Sequence, residues 1–185
     1  NLDNTILYAA SPGAPIWRVP VTGGEPVAAT RFEAEQRGHF SPHFLPDQRH
    51  FLFFVTGPPD TRGVHVGQLG DTSSRRLVDA DGSAVFSPAS GHLLFVRAGK
   101  LLAQAFDAGR LELSGNPLVI DEHVTAGTAL TASVAGPFAY HEPPPVGGQR
   151  QLTWVNRKGE ELQKVVYADT MALGPALSHD GRRIA

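Results

Sequence analysis

FLPDQRHFLFFV (residues 44–55) lies over FSPASGHLLFV (residues 86–96), with Phe44 on Phe86, Pro46 on Pro88 and His50 on His92. Each copy is a turn followed by an apolar run too short for a helix and rich in Phe, Val and Leu, which reads as a buried strand. Beyond this pair, an aromatic recurs within an apolar run at Tyr8, Phe53, Phe95 and Tyr140, at spacings of 45, 42 and 45 residues. A fixed period implies a stacked array, because a small sheet buries its faces only against its neighbours.

A period in the low forties with strand punctuation throughout predicts an all-β fold, the four-stranded antiparallel blades of a β-propeller. In the second repeat the strands fall at His39 to Leu45, His50 to Thr56, Val64 to Leu69 and Arg75 to Val78. In the third they fall at Ser83 to Phe86, His92 to Arg97, Lys100 to Phe106 and Pro117 to Ile120. Ala98-Gly99 reads as a tight hairpin, and Asp107 to Asn116 as a longer excursion. The fourth repeat gives Thr128 to Val134, Phe138 to His141, Gln151 to Asn156 and Glu161 to Val166, with a proline-rich loop at Glu142 to Gly148.

The first repeat opens directly at its second strand, Thr5 to Ala10, and continues through Ile16 to Val21 and Pro26 to Thr30. The last offers Met171 to Leu177 and the start of a strand at Ile184. The expected division is therefore three complete blades (residues 37–81, 82–124 and 125–168) between incomplete ones at residues 1–36 and 169–185. Such a set cannot close on itself, which predicts a piece of a larger propeller with the remaining blades as partners. Phe32 to Arg37 is the sole candidate for a helical turn.

Composition narrows the function classes. Gly and Pro number 20 and 15 among 185 residues and fall between the apolar runs, together about a fifth of the chain against an average near 12 %. A net charge of −2 offers no basic footprint for nucleic acid. The longest uncharged stretch, Val124 to Tyr140, is too short to span a membrane and contains Gly127, Gly136 and Pro137. Asn1 to Ala10 lacks the basic and long apolar regions of a secretory leader. With no cysteine, disulfides and thiolate chemistry are excluded, and no cofactor is expected.

Once the blades are placed, the wording of the turns resembles the WD40-like or TolB-like (PD40) propeller repeat, a Ser-Pro-Asp-Gly turn, a basic residue and an apolar strand. The phrase stands here as FLPDQRHFLFF, FSPASGHLLFV and LSHDGRRIA. Leu45 replaces Ser, Ala89-Ser90 replace Asp-Gly, His179 replaces Pro, and ASVAGPFAY in the fourth repeat lacks the turn. IWRVPVTGGEP (16–26), LLFVRAGKLLAQAFDAGRLELSGNPLVI (93–120) and QLTWVNRKGEEL (151–162) are similar to the C-terminal propeller of bacterial, acidobacterial-type serine/threonine protein kinases. That resemblance implies a sensor or interaction module outside the cytoplasm, preceded by a kinase domain and a membrane helix. Two rivals are a TolB-like periplasmic protein contacting envelope proteins and the propeller cap of a prolyl-oligopeptidase-type serine peptidase.

Catalytic motifs do not support an enzyme in this segment. No two glycines are separated by a single residue, and neither His-Arg-Asp nor Asp-Phe-Gly occurs, so the phosphate loop and metal-binding Asp of a kinase are missing. No Gly-x-Ser-x-Gly presents a nucleophile. His39 and His43 are four apart, a spacing that converges on a metal in a helix but not in a strand around Pro42. His50 and His92 follow equivalent turns and read as structural. Asp79-Ala80-Asp81-Gly82 lacks the further acids of a calcium loop and reads as a turn between blades. The aromatics Trp17, Phe53, Phe54, Phe95, Phe106 and Trp154 are expected between the blades.

A protein or small-ligand partner is then expected at the loops, which every propeller blade presents at the ends of the array. The connections between blades carry Arg31, Glu33, Glu35 and Arg37, then Asp121-Glu122-His123, then Tyr167-Ala168-Asp169. Arg31, Glu35, Arg37, His123 and Asp169 are the candidate binding residues.

Overall fold

A computed structural model describes residues 4–133, 138–141, 153–155 and 161–164, which form β-strands and loops with no helix among them. The chain divides into two compact units, residues 1–143 and 144–185. In the second, β14 (Thr153–Val155) and β15 (Glu161–Lys164) form an antiparallel hairpin.

The first unit is a succession of antiparallel meanders. Sheet one is β1 (Thr5–Ala9), β2 (Ile16–Pro20) and β3 (Val27–Ala28). Sheet two is β4 (Gly38–Phe44), β5 (His50–Thr56), β6 (Gly63–Gln68) and β7 (Asp71–Val78). Sheet three is β8 (Ala84–Ser87), β9 (His92–Arg97), β10 (Lys100–Asp107) and β11 (Glu112–Asp121). A fourth, two-stranded sheet joins β12 (Ala129–Ala132) to β13 (Phe138–His141). In each of these sheets, sequence order is spatial order, and none is closed.

Strand alternation makes these sheets a stack. On β5, Phe51, Phe53 and Val55 pack against Ile16 of sheet one and Ala29 just beyond β3, whereas Leu52 joins Leu93, Phe95 and Phe106 of sheet three. On β9 the parity repeats: Leu93 and Phe95 face sheet two, while Leu94 and Val96 pack with Leu130 of β12. Because successive side chains point to opposite faces, one apolar run supplies two interfaces. Burying each large ring in them contributes about 1.5–3 kcal/mol.

The four recurring aromatics keep one orientation but not one environment. Phe53 and Phe95 face the preceding sheet and are fully buried. Tyr140 lies opposite Leu130, on the face turned toward sheet three, yet is 40 % exposed, and its hydroxyl donates to Asp121 Oδ2 at 2.5 Å. Leu7 points into the interface with sheet two, so Tyr8 beside it occupies the opposite face and is half-buried. Of the four recurring rings, Phe53 and Phe95 are the enclosed ones.

Two boundaries also change. β7 begins at Asp71, since the reversal takes place at Leu69-Gly70, where Gly70 has φ +91°. The excursion expected from Asp107 to Asn116 is a short turn after which β11 runs from Glu112. The Asp107 carboxylate accepts the N–H groups of Gly109 and Arg110, and a bulge at Gly115 to Pro117 absorbs the residues that look like a loop. Phe32 to Arg37 is an irregular connection with a turn at Ala34-Glu35. The segment Met171 to Leu177 and the strand start at Ile184 lie outside the described residues.

Candidate functional site

β4, the first strand of sheet two, is interrupted where its neighbour is not. Phe40 lies opposite Phe54 and His43 opposite Leu52, so three steps along β4 match two along β5. The extra residue is accommodated at Ser41-Pro42, with Ser41 at φ +50°, a conformation sparsely populated outside glycine. A one-residue slip exchanges the faces of every later side chain. His39 therefore faces sheet one and His43 faces the other way.

His39 is fully buried between the rings of Phe32 and Phe53, at centroid distances of 4.7 and 4.9 Å. Its Nε2 lies 2.9 Å from Gln36 Oε1, an acceptor, so Nε2 carries the proton and Nδ1 accepts. The Thr30 hydroxyl then donates to Nδ1 at 2.7 Å while its oxygen accepts the Ile16 N–H at 2.9 Å. The relay from the Ile16 N–H through Thr30 and His39 to Gln36 is satisfied with a neutral imidazole. Burial, with the nearby His65 adding to it, lowers the His39 pKa to about 4, in keeping with that assignment. This is a structural network joining sheets one and two.

His43 instead lines an open cavity of about 380 Å³ where the first strands of three successive sheets come together. β4 contributes Ser41, Pro42 and His43, with Phe54 beside them. The approach to β8 contributes Gly82, Ser83, Ala84 and Val85, and the approach to β12 contributes Ala126 to Leu130. Gly82 permits this meeting, because a Cβ there would stand 2.4 Å from the Ala126 carbonyl oxygen. Thr128 is 2 % exposed and its Oγ1 has no hydrogen-bond partner among the described residues.

Among the described residues no Asp, Glu, Lys or Arg lines this cavity, and burial holds the His43 imidazole below its ordinary pKa, so the described lining is uncharged at neutral pH. Its chemistry is hydroxyl, imidazole, backbone and hydrocarbon. Among the described residues no group of three or more His, Asp or Glu side chains is placed to hold a metal ion. No helix among them is long and apolar enough to cross a membrane.

The candidates from the loops are not assembled into one site. Arg31, Glu35 and Arg37 are exposed in the connection entering β4, where the Arg31 N–H donates to the Thr72 carbonyl and the Arg37 N–H to that of Thr56. Glu35 sits in the turn at φ +68°. His123 is exposed in the equivalent connection before β12, its N–H on Asp121 Oδ1. Among the described residues no hydrogen bond or ion pair joins these four side chains, and Asp169 and Trp154 fall where no side chain is described. The Asp79 to Gly82 turn is a latch: Asp79 pairs with Arg76 at 3.1 Å, and Asp81 pairs with Arg62 at 3.0 Å while accepting the Ala98 N–H.

His50 and His92 are half-buried caps of their turns, His50 on the Asp47 carboxylate and His92 on the Ser90 carbonyl. Of the aromatics expected in the core, Phe106 is buried, Trp17 is half-buried, and Phe54 is the one that lines the cavity. The sequence reading missed the cavity because its residues come from three strands that start about 45 residues apart. The available signal was Pro42 within an otherwise regular strand, since a proline there marks an edge or a bulge. Compared with known proteins, the chain matches no family model, and no curated protein or solved structure is significantly similar to it.

Proposed function

We propose that this chain is a non-catalytic recognition module whose sheets are blades of a β-propeller, forming the sensor region of a bacterial receptor-type serine/threonine kinase. The observation that carries this reading is the repeated parity of β5 and β9, each of which gives alternate side chains to the sheet before and the sheet after it. Sheets packed in that manner present first strands and connecting loops to a ligand, while the strands themselves are committed to packing. A cavity whose described lining is hydroxyl, imidazole and hydrocarbon suits the binding of a small molecule.

The kinase association rests on the resemblance of residues 16–26, 93–120 and 151–162. It is tested by reading the coding sequence on both sides. A Gly-rich phosphate loop, His-Arg-Asp, Asp-Phe-Gly and a membrane-spanning segment upstream are the expected result. A downstream Gly-x-Ser-x-Gly would instead make the chain a peptidase cap, and an upstream secretory leader without kinase motifs would favour an envelope-interaction protein.

A further inference from the structure

The cavity at Ser41, His43, Phe54, Ser83, Thr128 and Leu130 has a composition that selects among ligands. A charged molecule entering it would shed hydration with no opposite charge among the described lining residues to replace it, a cost that burial magnifies. A purely apolar molecule would leave three hydroxyls and an imidazole without water or partner. Hydroxyl groups both donate and accept, and the neutral imidazole does the same through its two nitrogens, so the lining is complementary to a ligand that also carries several such groups. Phe54, Val85 and Leu130 supply hydrocarbon against which the C–H face of a ring can lie.

One atom marks the place more sharply. Thr128 Oγ1 is buried and without a partner among the described residues, although buried hydroxyls are nearly always bonded. Thr128 is one of the residues that line the cavity, so a modest turn of its side chain toward a bound ligand hydroxyl would satisfy the buried Oγ1. The strained Ser41 and the glycine at position 82 are backbone features that shape the same cavity. Its volume is at the small end of the range for ligand sites, enough for one saccharide ring.

We propose that this cavity binds a neutral, hydroxyl-rich small molecule of monosaccharide size, with the Thr128 hydroxyl as a specific hydrogen-bonding contact. The inference rests on the recognition-module reading and gives it a ligand class. It is tested on the full 185-residue chain by titration with glucose and N-acetylglucosamine, and in parallel with their charged counterparts glucuronate and glucosamine, followed by calorimetry and by amide chemical shifts.

Saturable binding of a neutral sugar is expected, with shifts at residues 41–43, 83–85 and 128–130 and binding of the charged counterparts weaker by at least about tenfold. Thr128→Val keeps the side-chain shape and removes only the unbonded hydroxyl, so it should weaken sugar binding about three- to tenfold without lowering the melting temperature. Leu130→Trp should abolish binding by filling the space. Equal or tighter binding of the charged sugars, unchanged affinity in Thr128→Val, or no response to either neutral sugar would overturn the proposal. Those outcomes leave the recognition-module reading standing, because that reading is decided by the flanking coding sequence.

Discussion

His39 and His43 stand four residues apart on one strand and yet face opposite sides of sheet two, His39 against Phe53 and His43 in the cavity beside Phe54. Regular alternation would have put both on one face. The bulge at Ser41-Pro42 separates them, turning one histidine into an interior strut and the other into part of a binding surface.

The bulge should therefore respond to backbone chemistry more than to side-chain size. At φ +50° a β-branched residue is strained, so Ser41→Val is expected to destabilise the chain by about 1–3 kcal/mol, whereas Ser41→Gly should be neutral or slightly stabilising. Urea denaturation midpoints of the two variants at constant m-value provide the check. The opposite ranking would mean that Ser41 is held by its side chain.

Thr30 links the Ile16 N–H to His39 Nδ1 through one hydroxyl. Thr30→Val leaves the Ile16 N–H and His39 Nδ1 buried without a partner, at a cost of about 1–3 kcal/mol for each orphaned group. Thr30→Ser retains the hydroxyl and should recover most of that loss. If both variants melt alike, the network contributes only packing.

Acid should loosen the interface between sheets one and two. In the folded chain His39 has its pKa lowered to about 4 from 6.5, so the unfolded chain takes up more protons between those values. The stability associated with neutral His39 is fully present above about pH 6.5, is lost progressively as pH falls toward 4, and changes no further below it. The total is on the order of 3 kcal/mol. Burial lowers the pKa of His65, on the other side of Phe53, and that of His43 as well, and both add in the same direction. Unfolding free energies measured from pH 7 to 4 should fall for the parent and fall less steeply for His39→Gln. Equal slopes would remove His39 from the account.

Rings at equivalent places in the repeat should differ in weight. Phe95→Ala removes a fully buried ring between two sheets and should cost about 3–5 kcal/mol. Tyr140→Phe removes an exposed hydrogen bond to Asp121 and should cost at most about 1 kcal/mol. Comparable losses in thermal melts would show that β13 is more enclosed than its exposure indicates.

Strands at His50 to Thr56 and His92 to Arg97 were legible to the residue, because each is an uninterrupted apolar run behind a turn that names itself with Pro, Gly or Asp. β11 was misread because Ser-Gly-Asn-Pro has the composition of a loop, and only pairing with β10 turns those residues into a bulge within a strand. The loop candidates Arg31, Glu35, Arg37 and His123 were found by their charge, but charge in a connection says nothing about what it meets across the fold.

Local patterning by itself determined that the chain makes short antiparallel strands, that they recur every 42 to 45 residues, and that Phe53 and Phe95 are interior. These follow from alternation and turn chemistry, which act over a few residues. Which face His43 occupies, how completely Tyr140 is covered and where Thr128 loses its hydrogen-bond partner were decided only when sheets met. The physical reason is that one extra residue in a strand reverses the facing of all that follow, and what each face then meets belongs to neighbouring sheets 42 to 45 positions away in the chain.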